Sequence, residues 1–294
     1  MIKLLFSFFC LFSCPCFSHV ITIATMTKSD HPYLVEWIEY HKLIGVDHFF
    51  IYDNNEGDET RLILEPYIEN GSVEYVKWPN LWPDIEIVWG AQPFAFQDAL
   101  DRFKNSTQWF AFLDTDEFIV PMRNTNLRET LNEYFCDKPL VFLNWRLFGT
   151  SSKTIFPPGP ILKQLTQCSK RDYIGNRWGK SIVQPAYLDK VTQTHINPGK
   201  CQYTDGSGEP FPYSTWDELF YTIFSVNDDL LRINHYTFRD EWFLHHVKLN
   251  WLSSGHGHIP AFQALEKNQE YCTETCTRIL EVIDSEKRKN PDLF

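Results

Sequence analysis

Residues 109–121, WFAFLDTDEFIVP, limit what this chain can fold into more than any other stretch. An apolar run leads straight into Asp114, Thr115, Asp116 and Glu117, and apolar residues resume at once with Phe118, Ile119 and Val120. The flanks read as a core strand, yet burying one unpaired carboxylate is costly and three side by side also repel one another. A solvated acidic turn would remove that cost, but the apolar residues on both sides argue against a casual surface loop. Two carboxylates spaced i, i+2 where a strand turns can address one hard divalent cation. Mg²⁺ or Mn²⁺ favours oxygen ligands and bridges to substrate phosphates. Asp114 and Asp116 are therefore the candidate metal and diphosphate ligands, while Glu117 has no assigned role.

The rest of the chain can bury such a strand. Of 294 residues, 43% are hydrophobic and 16% aromatic, which excludes a disordered or low-complexity chain. A formal net charge of -11 argues against a nucleic-acid partner, because neutralising phosphates needs clustered Lys and Arg. Residues 1–18 stand apart as a leader. Lys3 precedes an apolar run over residues 4–12, shorter than the roughly 20 residues of a membrane span and closer to a secretory signal. A lipoprotein-like Leu11-Phe12-Ser13-Cys14 and an uncleaved membrane-associating tail are the alternatives. The expectation is a protein of the secretory pathway, membrane-associated or exported, with the cytoplasm left open. Outside the leader, Cys136, Cys168, Cys201, Cys272 and Cys276 form neither a disulfide framework nor a zinc pattern. Cys272 and Cys276, four apart in a helical-looking segment, could pair.

After the leader the pattern is strand, helix, strand, helix, strand. VITIATMT reads as a strand, residues 32–43 as a helix with Pro32 in its first turn, and HFFIYD as the second strand. Residues 60–68 read as a helix stopped by Gly71, SVEYVKW as a third strand, and residues 92–104 as another helix before WFAFL. PLVFLNWRLFG and KSIVQPAYL read as later strands, and residues 239–250 and 274–289 as helices. This rhythm predicts an α/β chain with an open, mostly parallel sheet flanked by helices, one domain over residues 19–294. In such sheets ligands bind where the loops leave the strands' C-terminal ends.

Five segments, taken in order, resemble glycosyltransferase family 92, whose members share a GT-A-type nucleotide-sugar fold. They are ITIATMTKSD…YLVEWIEYHKLIGVDHFFIYDNN, WFAFLDTDEFIVP, NWRLFGTSS, KSIVQPAYL…TH and INHYTFRDEWFLHHVK, together spanning most of the chain. One departure is Lys28-Ser29-Asp30, where members carry Lys-Asn-Glu. The resemblance implies that Thr25, Lys28 and Asp53 hold the nucleotide with Asp114, although solvated loop charge and an ordinary turn are the plainer readings of Lys28 and Asp53. It also implies that His235, in Asn234-His235-Tyr236, completes the metal site with Asp114 and Asp116. An imidazole suits Mn²⁺ better than Mg²⁺. His245 and His246 lie in the following helix, which lacks that match. Trp145, Arg146, Phe148, Gly149 and Thr150 are either a sugar-binding wall or core residues with a turn glycine. Lys180 and His195 could reach diphosphate or acceptor, and Lys248 could neutralise phosphate charge.

The resemblance implies transfer of a hexose, galactose favoured, from a nucleotide diphosphate sugar, UDP-linked, to a glycan or glycoconjugate hydroxyl with inversion. Direct displacement needs a base for the acceptor hydroxyl. Asp172, Asp205, Asp217 and Glu218 qualify by position, with Asp205 and Asp217 favoured. Two rivals are a metal-dependent phosphoesterase or nucleotidyltransferase, and a non-catalytic carbohydrate-binding relative. The first would show further Asp/His pairs early in the chain, and the retained Asp114, Asp116 and His235 argue against the second.

Overall fold

The structure, a computed structural model, describes residues 18–78, 91–212, 226–253 and 260–291. Its centre is four parallel strands in the order β4 (Thr107–Phe112), β1 (His19–Thr27), β2 (His48–Asp53) and β3 (Val73–Lys77). Helices α1 (His31–Leu43), α2 (Glu59–Glu69) and α3 (Gln92–Phe103) connect them. Side chains alternate across the strands, as the two-residue period requires. Ile21, Ile23, Phe49, Ile51, Trp109 and Ala111 join one buried cluster with Leu34 and Trp37 of α1. Ala24, Phe50, Tyr52, Phe110 and Phe112 join a second with Ala95, Phe96 and Ala99 of α3. Helices thus cover both faces, and the near-continuous apolar strands follow from that double burial.

Beyond β4 the sheet becomes mixed. The chain turns at Asp114, where the Glu117 N–H donates to the Asp114 carbonyl at 3.1 Å, and starts β5 (Glu117–Pro121). After α4 (Leu127–Tyr134) comes β6 (Leu140–Leu147), and after the two-residue β7 (Gln167–Cys168) comes β8 (Gly179–Val183). Strand β8 is antiparallel to both β4 and β6, while the short β9 (Tyr203–Thr204) and β10 (Pro210–Phe211) extend the far edge. Strand β11 (Leu231–His235) pairs antiparallel with β5 and parallel with β6. Gly179 is required where β8 meets β6, because a Cβ there would lie 1.9 Å from the Leu143 carbonyl oxygen. This α/β layering is the one the resemblance implies.

The segments expected to be helical over residues 239–250 and 274–289 differ in detail. Arg239 sits in a left-handed turn, φ 48°, and helix begins at Glu241–Phe243, passing through a π turn at Leu244–Lys248. Near the end, Glu274–Thr275 forms β12 against β7, and the last helix is Arg278–Lys289. Cys276 is therefore beside Cys168, and these two form the disulfide rather than Cys272 with Cys276. Cys272 is a free thiol packed near Gly149. Spacing along a helix was the wrong guide, because the segment is extended there.

Strand β5 carries β11 on one edge, and α1 satisfies the backbone of the other. The Trp37 indole N–H donates to the Glu117 carbonyl at 2.8 Å, and the Tyr40 hydroxyl to the Ile119 carbonyl at 2.8 Å. The Ile119 N–H donates to His41 Nε2 at 3.3 Å, while His41 Nδ1–H donates to the Trp37 carbonyl at 2.9 Å. Both ring nitrogens are thus assigned to a neutral imidazole, and burial pushes the pKa of His41 down to about 3. The native state refuses a proton that the unfolded chain accepts below about pH 6.5. Stability is fully present above that pH and falls as the pH drops toward 3, by about 1.4 kcal/mol per pH unit from this residue. Urea unfolding from pH 7.5 to 4.5 should show this fall, and His41→Gln should lower proton uptake on unfolding by about one.

Candidate active site

Strand β4 carries Asp114 and Asp116 to the C-terminal edge of the parallel strands, as the sheet logic requires. The three neighbouring carboxylates are compensated in three different ways. Asp114 Oδ2 pairs with Lys180 Nζ of β8 at 2.9 Å, and its Oδ1 accepts from the Gln92 side-chain amide at the start of α3. Burial works to raise the Asp114 carboxyl, and the Lys180 ammonium overcomes it and holds the pKa below its usual value. Glu117 is fully buried and accepts the Asp114 N–H at 2.8 Å. Burial drives its pKa well above the usual carboxylate range despite Lys180 at 3.9 Å, with Asp114 and Asp116 adding to the rise. Its part is to shape the turn through that N–H contact.

Asp116 is compensated from the far end of the sequence. Strand pairing sets His235 opposite Glu117, and the Tyr236 N–H donates to the Asp116 carbonyl at 2.8 Å. His235 Nε2 comes within 3.5 Å of Asp116 Oδ1 and 2.9 Å of Thr237 Oγ1. Burial works to raise the Asp116 carboxyl, but His235, Arg239 and Lys248 hold it below the ordinary range. Among the described residues no three His, Cys, Asp or Glu side chains converge as a finished metal site. One carboxylate and one imidazole in contact do fit a divalent cation whose remaining ligands are diphosphate oxygens. His235 Nδ1 is buried without a hydrogen-bond partner.

The other expected residues divide. Trp145 joins the site: its ring lies 4.3 Å from that of His235 and 5.5 Å from that of His195, and its indole N–H is buried without a hydrogen-bond partner. His195 Nδ1–H donates to the Gly179 carbonyl at 2.7 Å, and burial, with Lys180 nearby, pushes its pKa down to about 3. The buried Thr25 hydroxyl lies on β1 and has no hydrogen-bond partner, and Lys28 follows in the next loop. Lys180 is 1% exposed and committed to Asp114, so it is a counter-charge rather than a diphosphate contact.

Others are structural in place. Asp53 is fully buried and accepts from Tyr75 at 2.7 Å, Lys77 at 3.1 Å, and both the backbone and side-chain N–H of Asn55. Arg146, next to Trp145 on β6, is buried against the Ser169 carbonyl and Asp228 and reaches the exposed Glu274. Gly149 packs against Asn268 and Cys272. Asp205 caps its own turn, accepting from the Ser207 and Glu209 N–H groups and from Asn227 Nδ2 at 2.6 Å. Asp172 lines a cavity of about 530 Å³ with Arg171, Arg177 and Asp229. Asp217 and Glu218 lie outside the described residues.

Gln92 and Arg239 were missed by sequence reasoning. Gln92 opens an ordinary amphipathic helix, so nothing local marks it. Arg239 follows the Asn-His-Tyr segment, which was a signal. Because Lys180 is the sole cation contacting both Asp114 and Glu117 among the described residues, Lys180→Met should cost about 3–5 kcal/mol of stability in urea unfolding.

Residues 18–257 match the family model described as Glycosyltransferase family 92. A glycosyltransferase family 92 protein of Oryza sativa subsp. japonica is 29% identical over 219 residues, covering 71% of this chain and 35% of that protein. A galactan beta-1,4-galactosyltransferase of Arabidopsis thaliana is 32% identical over 105 residues, covering 34% of this chain and 21% of that protein. The chain thus spans about a third or less of the length of these relatives. Among solved structures, glucosyl-3-phosphoglycerate synthase from Mycobacterium tuberculosis in complex with Mn²⁺, uridine-diphosphate and phosphoglyceric acid aligns over 58% of this chain and 57% of that one. Identity is 12% and the TM-score 0.32, too slight a likeness to bear on this chain's chemistry. The family match runs from β1 past the π turn that follows His235, and on that ground the chain belongs to glycosyltransferase family 92.

Proposed function

We propose that this chain transfers a hexose from a nucleotide diphosphate sugar to a hydroxyl of a glycan or glycoconjugate, with a divalent cation and with inversion. The observation that carries the reading is the Asp116–His235 contact at 3.5 Å, made at the sheet edge where such ligands bind. Asp116 and His235 would hold the cation, Mn²⁺ favoured over Mg²⁺ by the imidazole. When bound, it would neutralise charge building on the leaving diphosphate. Asp114, fixed by Lys180 and Gln92, positions the turn and faces the nucleotide, with Thr25 on the neighbouring β1 and Lys28 in the loop that follows it. Trp145 offers a ring and an unused N–H to a sugar. Asp217 is the base retained here, because both oxygens of Asp205 are already engaged, by Ser207 and Glu209 on its turn and by Asn227. The donor is UDP-galactose by family resemblance, and the galactosyltransferase of Arabidopsis supports that choice.

A panel of nucleotide sugars, UDP-galactose first, given to the protein with Mn²⁺ tests this by release of nucleoside diphosphate. Asp116→Ala should reduce kcat/KM by about 10²-fold or more, as for removal of one transition-state electrostatic contact. No release from any donor, with Asp116→Ala indistinguishable from the parent, sinks the reading.

The secretory pathway is proposed as the compartment, membrane-associated or exported. The Cys168–Cys276 bond supports it, since structural disulfides persist in oxidising compartments. Among the described residues no helix is long and apolar enough to cross a membrane. Non-reducing peptide mapping of protein from its native cells should recover the Cys168–Cys276 peptide pair; recovery of both thiols free would overturn the placement.

A further inference from the structure

Arg239 is 2% exposed, yet its side chain reaches three separate parts of the chain. Nη1 pairs with Asp30 Oδ1 at 2.6 Å, in the loop between β1 and α1. Nη2 donates to Thr115 Oγ1 at 3.4 Å, the middle residue of Asp114-Thr115-Asp116. The guanidinium lies over the rings of Tyr33 at 4.1 Å and Phe243 at 4.5 Å. A planar cation can stack on aromatics and donate in two directions at once, which an ammonium cannot. Both ends of the Asp30 pair hang from left-handed turns, at Ser29 with φ 61° and at Arg239 itself with φ 48°. Such conformations persist in non-glycine residues only where surrounding contacts over-determine them.

We propose that Arg239 is a positioning residue that ties the loop after β1 to the Asp114–Asp116 turn. Its burial keeps it off any ligand, so it acts through the groups it holds. Asp30 keeps the Lys28 loop against the site, and Thr115 keeps the Asp116 side of the turn aimed at His235. On the transferase reading, on which this consequence rests, one guanidinium sets the spacing between the nucleotide loop and the cation pair.

Amide hydrogen exchange on the ligand-free protein tests the tie independently of any activity. In Arg239→Ala, peptides covering residues 28–30 and 114–117 should lose protection together, by about tenfold or more, while β2 and β3 keep theirs. Added guanidinium should restore both regions at once. Arg239→Lys and Thr115→Val carry the same measurement if the alanine variant does not fold. Loss confined to residues 236–243, with both distant regions unchanged in every folded variant, overturns the proposal. Calorimetric titration with UDP and Mn²⁺ then reads the consequence: Arg239→Lys should weaken binding by about tenfold and raise the donor KM more than it lowers kcat. If the parent protein binds no UDP while the two loops still loosen together, the UDP-linked donor fails and the tie stands.

Discussion

A single buried ammonium makes the acidic turn possible. Lys180 arrives on β8, an antiparallel strand inserted between β4 and β6, and meets Asp114 and Glu117 where no other described cation contacts either. One positive charge cannot neutralise three carboxylates, and it does not have to. Its charge holds the Asp114 carboxyl below its usual pKa, burial outweighs its pull on Glu117 and drives that pKa up, and Asp116 is left for partners on β11 and beyond. The sequence WFAFLDTDEFIVP looks like a strand that breaks the rules of burial. It is two strands, β4 and β5, joined by a turn whose charges are each resolved differently.

The division of labour among the acids follows from where their oxygens go. Asp114 has both oxygens engaged by Lys180 and Gln92, so it holds the turn in place. Asp116 keeps a side chain 18% exposed and faces the Nε2 of His235 at 3.5 Å. Two carboxylates that look equivalent at i, i+2 therefore differ in role, and the difference comes from strands far away in the chain.

The parallel half of the sheet was legible, because strands buried on both faces and helices with apolar stripes leave strong patterns. The pairing of Asp116 with His235 was reached through motif resemblance and not through spacing. Asp53 and Asp205 show the limit most clearly. An aspartate that caps a turn and one that binds a ligand carry the same letter in the same kind of loop. The difference is whether Tyr75, Lys77, Asn55 or Asn227 gets there first. Arg146 was misleading for a related reason: its neighbour Trp145 faces the site, and the two-residue period sends Arg146 to the opposite face. The Cys168–Cys276 bond was illegible because two short strands, β7 and β12, bring its ends together.

The distance between Asp116 and His235 is in the end a matter of register. Glu117 and His235 are opposite partners, so a slip of one residue between β5 and β11 would turn His235 to the other face of the sheet. The core specifies that register through Ile119 opposite Ile233 and Phe118 opposite Asn234. Helix α1 fixes it from the other edge, because Trp37, Tyr40 and His41 each bond a particular backbone group of β5. Polar side chains on a core helix are costly unless paired, and here their pairing selects one alignment of β5 over its neighbours. A helix that touches neither Asp116 nor His235 is thus part of what brings them together.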